Sequence, residues 1–126
     1  VTVEEFLAAE AALPAYPGAC CRMVDRWFQQ VKGYSALSRY GRDFLTDNDV
    51  RQWLSEPGGM AVAVNRVARA AGVPKTKTPQ AGDVGLIIHD GRLCAAIHSG
   101  AMWVGRDEKG LFSAPQEAVW KAWSLR

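Results

Sequence analysis

Three cysteines and two histidines carry the nucleophilic and acid–base chemistry available to this sequence: Cys20, Cys21, Cys94, His89 and His98. Pro14 and Pro17 lead the chain into the first pair. Apolar residues then recur at Cys20, Val24, Trp27 and Val31, with Met23 and Phe28 widening the stripe. That is the period of a helix with one buried face, and Gly33 sits where such a helix stops. The cysteine pair therefore occupies a first helical turn. Unpaired backbone N–H groups and partial positive charge there favour a thiolate. A thiol so placed can attack a carbonyl when an imidazole within about 3–4 Å takes its proton. Without a base, a thiol of unperturbed pKa roughly 8.5 is mostly protonated at neutral pH.

Cys20 is the candidate nucleophile and His98 the candidate base. A competing reading gives His98 a cross-strand hydrogen bond to Asp83, and leaves Cys20 an inert buried thiol. His89, beside the turn that leads to Arg92, reads as a solvated turn residue, and Cys21 and Cys94 as core packing. No CxxC pair occurs and the histidines lack zinc-ligand spacing, so neither a metal nor a cofactor is expected. Adjacent cysteines and an odd count make a poor disulfide framework, so reduced thiols made in a cytosol are expected.

The elements that must position these residues change character along the chain. Its 126 residues suffice for one domain, with 48% hydrophobic and 22% charged residues. A formal net charge of +2 does not provide the clustered Lys and Arg of a nucleic-acid surface. No apolar run reaches the roughly 20 residues of a membrane span, and the acidic start, Val1 to Glu5, lacks the basic beginning of a secretory signal.

Residues 1–78 read as mainly helical. Thr2 and Glu5 form a capping box for a helix to about Leu13, and the cysteine helix follows. Residues 34–44 have no clear period and read as a loop with a short helical turn. Val50, Trp53 and Leu54 mark a short helix, and Met60, Ala63, Val64, Val67, Ala68 and Ala71 a longer one that Gly72 and Pro74 stop.

Residues 79–126 read as mainly antiparallel sheet. A strand over 82–89 turns at Asp90-Gly91, a strong two-residue hairpin signal, into a strand over 92–98. The turn fixes the register. Ile88 faces Leu93, Leu86 faces Ala95 and Val84 faces Ile97 on the side expected to meet the helices. Cys94 and His98 fall on the reverse side. A third strand over 101–104, a turn over 106–110, a short strand over 111–113, a helical turn and an edge strand over 120–125 complete an α+β chain. Trp27 and Trp53 read as core. Trp103, Trp120 and Trp123 are candidates for a partner surface, since aromatics anchor interfaces, with core as the rival.

In order and spacing, Cys20-Cys21 with Trp27, Gly82-Asp83-Val84, and Gly110-Leu111 with Ala122-Trp123 resemble the NlpC class of papain-like cysteine peptidases. The resemblance is closer to a small branch carried by tailed phages and prophages beside their tail genes, and covers about residues 6–126. It implies a papain-like α+β fold with the nucleophile position at Cys20. The Asp that commonly precedes that cysteine is Ala19 here. The general-base position falls on Leu93 or Cys94, and the polar third position on residues 101–103, where the side chains are apolar. The implied function is a catalytically degenerate structural or assembly component of a phage tail tip or baseplate. It would be made in the host cytoplasm, located in the virion and partnered by hub or baseplate proteins. The alternative is an active cysteine peptidase or amidase that cleaves peptidoglycan peptides during cell-wall penetration. A toxin or immunity domain on the same fold rests on fold analogy alone.

Overall fold

The computed structural model describes residues 1–42 and 46–126. Helices α1 (Val3–Ala11), α2 (Ala19–Lys32), α3 (Ala36–Arg39), α4 (Asp47–Leu54) and α5 (Gly59–Ala70) precede strands β1 (Val84–His89), β2 (Arg92–His98), β3 (Trp103–Asp107), β4 (Gly110–Ala114) and β5 (Val119–Trp123). The strands form one antiparallel sheet of order β4-β3-β2-β1-β5. The fold class is α+β.

Local chemistry explains the helix boundaries. Thr2 and Glu5 make the expected capping box on α1, and Thr46 with Asp49 makes another on α4. The first helix stops at Ala11, two residues short of Leu13, which is exposed. The reading of residues 34–44 falls partly on residues 43–45, outside the described residues. The short turn within it is α3, tied to α2 by Asp25. That carboxylate accepts hydrogen bonds from the Ser35 hydroxyl and from the Ala36 and Leu37 N–H groups at 2.5, 2.8 and 3.1 Å.

Helix α2 runs through the core. Met23, Trp27 and Phe28 pack with Val3 and Phe6 of α1, Trp53 of α4, Val67 of α5 and Ile97 of β2. Trp27 meets Phe6 at a ring separation of 5.3 Å and donates its indole N–H to the Gly82 carbonyl at 2.7 Å. The buried stripe is rotated from the expected one. Cys21 is buried, Cys20 is half-buried at the rim and Val31 is exposed. The rotation turns Cys20 toward the start of the sheet.

The β1–β2 register agrees with the expected pairing at every position from Val84 with Ile97 to His89 with Arg92. Asp90 and Gly91 both have positive φ, 50° and 74°, as a type I′ turn requires. Leu86 and Ala95 pack on the helices, whereas Ile88 at the turn is exposed. The reverse side is a second core rather than an open face. Ile87, Ala96, Trp103, Ala114 and Ala122 are buried together there. Gly85 makes this possible, because a Cβ at that position would stand 2.8 Å from the Trp103 ring.

Strand β3 runs to Asp107, beyond the expected end at residue 104, and turns into β4 with Asp107 opposite Gly110. Arg106, expected in the turn, is instead 4% exposed. Its guanidinium donates to the carbonyls of Glu10 at 2.6 Å and Leu13 at 2.8 Å, and lies 3.4 Å from the buried Glu10 carboxylate. Arg26 approaches the same carboxylate at 3.3 Å, and the Tyr16 hydroxyl donates to it. This cluster fastens α1 and the following loop to β3.

Candidate functional site

The loop before α2, the first turn of that helix and the near ends of β2 and β3 enclose an open cleft of about 380 Å³. Tyr16, Cys20, Arg92, Cys94, Arg106 and Asp107 are among its lining residues. Helix α2 enters it through Gly18, which offers no side-chain cap. The Gly18 N–H is taken by the Asp47 carboxylate at 3.0 Å, so an acidic side chain from α4 sits at the helix's positive end.

Cys20 meets sulfur. Its thiol hydrogen-bonds with those of Cys21 and Cys94, and the Ala95 N–H lies against it. The bond with Cys21 and burial push the Cys20 thiol up to about 12, while Cys94 and the Ala95 N–H pull it down. Cys94 is pushed upward too, first by its hydrogen bond with Cys20, then by burial and the charges of Cys20 and Asp107; Arg92 opposes this. The end of a helix contributes about 0.3–1 kcal/mol toward an anion, less than the roughly 1.4 kcal/mol of one tenfold step. The sulfur pair therefore stays protonated at neutral pH. Burial, followed by the Glu10 hydrogen bond, raises the Tyr16 phenol as well.

Neither histidine lines this cleft. His98 is buried on the reverse side of the sheet, edge-on to Trp103 at 4.9 Å. Its Nδ1 accepts from the Gly100 N–H at 3.1 Å and its Nε2 lies 2.8 Å from the Gln116 Oε1. That pattern belongs to a ring carrying its proton on Nε2. Both nitrogens are thus engaged away from Cys20. The expected side-chain bond between His98 and Asp83 is replaced by a backbone one, from the His98 N–H to the Asp83 carbonyl at 2.8 Å. The Asp83 carboxylate instead accepts from the Gln80 N–H, the Leu125 N–H and the Arg126 guanidinium at 2.9, 3.2 and 3.1 Å, closing the C-terminus onto the sheet. His89 stacks on Phe112 at 3.9 Å and approaches Asp90 at 3.5 Å.

Of the two base positions that the resemblance implies, the structure brings Cys94 to Cys20. The acidic residue beside Cys94 is Asp107, at the far end of β3 from residues 101–103. Sequence reasoning missed it by ending the strand early. The signal was available in the hairpin Asp107 to Gly110, because pairing Ala96 with Gly105 and continuing by two residues sets Cys94 opposite Asp107.

The tryptophans divide. Trp103 and Trp123 are 0% and 2% exposed, which corrects their reading as partner surface: both rings fill the core. Trp120 is 45% exposed. The β1–β5 register jumps from Leu86 with Lys121 to Ile87 with Val119, so Trp120 is the extra residue of a β-bulge, a device that re-aims a side chain. The Lys121 ammonium covers one side of its ring at 4.8 Å.

Among the described residues, no cluster of three or more His, Cys, Asp or Glu side chains could hold a metal ion. Likewise, no described helix is long and apolar enough to cross a membrane. The model of a family described as "Domain of unknown function (DUF6950)" matches residues 1–125, and the chain belongs to that family. No curated protein and no solved structure matches it.

Proposed function

We propose that this DUF6950 chain is a non-hydrolytic domain on a papain-like ground plan, serving as a structural or assembly component of the tail tip or baseplate of a phage-like particle. One observation carries the non-hydrolytic part. The Cys20 thiol, at the first turn of a core helix, has the Cys94 thiol beside it, and no histidine lines their cleft. A thiol cannot act as general base toward another thiol at neutral pH when both are held protonated. The resemblance to the NlpC-like proteins of tailed phages supplies the particle, and the bulged Trp120 supplies a surface aromatic suited to a hub or baseplate partner.

Two experiments test the reading. Purified protein incubated with peptidoglycan is expected to release no peptide; release that stops on Cys20→Ser substitution overturns the non-hydrolytic role in favour of a peptidase or amidase. Mass spectrometry of particles released by the source bacterium is expected to find the chain in fixed ratio to a tail-tip protein. Its absence from purified particles overturns the assembly role.

A further inference from the structure

The Cys20 and Cys94 side chains come from elements far apart in sequence and line one open cleft, each half-buried and reachable by solvent. Each thiol bears on the ionisation of the other, as neighbours in that cleft do. Cys21, the remaining cysteine, turns into the core and is 7% exposed. Cys20 lies on the first turn of a helix whose N-cap is a glycine without a side-chain cap, and Cys94 is the third residue after the hairpin turn. Both therefore sit near the ends of their elements, where small adjustments cost least. Hydrolytic chemistry has no use for such a pair, whereas thiol–disulfide chemistry requires one.

We propose that Cys20 and Cys94 are a redox-active dithiol, which closes to a disulfide in an oxidising thiol–disulfide pool and reopens in a reducing one. The co-reactant is a low-molecular-weight disulfide such as oxidised glutathione. The Cys20 sulfur, having lost its proton to solvent, attacks one sulfur of that disulfide. A mixed disulfide forms at Cys20 and one glutathione leaves as thiolate. Deprotonated Cys94 then attacks the Cys20 sulfur, forming the Cys20–Cys94 bond and releasing the second glutathione. Two protein thiols are oxidised and one small disulfide is reduced to two thiols, so atoms and electrons balance. Since the thiolate is the attacking form, a pair held protonated exchanges slowly. The bond accordingly follows a lasting change of surroundings rather than a brief pulse. This pairing is independent of any particle, so it can fail while the assembly role stands, and the reverse.

The test uses the full chain in glutathione buffers of graded oxidised-to-reduced ratio at pH 8, followed by acid quench, alkylation of free thiols and tryptic mass spectrometry. Cleavage after Arg22, Arg92 and Arg106 places Cys20 in the peptide 1–22 and Cys94 in the peptide 93–106. The expected product is a monomer with these two peptides linked, formed equally in Cys21→Ser and reversed by excess reduced glutathione. In Cys94→Ser the link disappears and a glutathione adduct on Cys20 takes its place. Three results overturn the proposal: no linked peptides from folded wild-type protein, a link that persists in Cys20→Ser through Cys21, or a link found only between chains. If Cys94→Ser does not fold, wild type and Cys21→Ser still decide the matter.

Discussion

The most direct probe of the cleft is the alkylation rate of Cys20 as a function of pH. In a Cys21→Ser chain, iodoacetamide modification of the peptide 1–22 reports Cys20 alone. An ordinary thiol of pKa roughly 8.5 is about 9% thiolate at pH 7.5. With the thiol pushed up to about 12, the thiolate is scarcer by roughly 3,000-fold. A more basic thiolate is a better nucleophile, and a Brønsted coefficient of about 0.4–0.5 restores roughly 25- to 50-fold. The net expectation is a rate about 50- to 100-fold below that of a free cysteine peptide. The rate should climb about tenfold per pH unit from pH 8 to 11 without levelling. Unfolding in guanidinium should abolish the difference. A plateau near neutral pH, or a rate equal to that of the free peptide, would mean that a base reaches this sulfur, and the account of the cleft given above would then be wrong.

Other substitutions and conditions probe the same frame. Cys94→His places an imidazole beside the Cys20 thiol; the alkylation profile of Cys20 should then acquire a plateau below pH 8, and an unchanged profile would show that position 94 does not address the sulfur. Arg106→Met leaves the buried Glu10 carboxylate with only the half-exposed Arg26 as its ionic partner, so urea unfolding should show a loss of about 3–5 kcal/mol, and a loss below about 1 kcal/mol would contradict the role given to that cluster. Because Cys20 ionises later in the folded chain than in the unfolded one, its contribution to stability is complete below pH 9 and declines by about 1.4 kcal/mol per pH unit above it; in urea melts from pH 8 to 10.5, Cys20→Ala should decline less steeply than wild type. Closing the Cys20–Cys94 bond constrains a loop of roughly 75 residues and should raise stability by about 2–4 kcal/mol, seen as a Tm higher by about 8–15 °C in oxidised than in reduced protein.

The parts legible in the sequence were those decided by neighbours along the chain. The Thr2–Glu5 box, the helical period after Pro17 and the Asp90-Gly91 turn each depend on a few adjacent residues, and the turn carried the β1–β2 register with it. The parts that were not legible depend on packing between distant segments. Nothing local to Trp103 says that Gly85 leaves room for its ring, so core and surface looked equally open to it. Nothing local to Arg106 says that Glu10 is buried against it, and a charged residue near a glycine read as a turn. The cleft belongs to this second kind. Strand alternation alone sends Cys94 to the reverse side of the sheet, away from helix α2. The thiols nevertheless meet, because the β2–β3 pairing begins only at Ala96 with Gly105, and Cys20 comes to lie by the Ala95 N–H at the near ends of those strands. The same opening that admits Cys20 to Cys94 also exposes both to solvent.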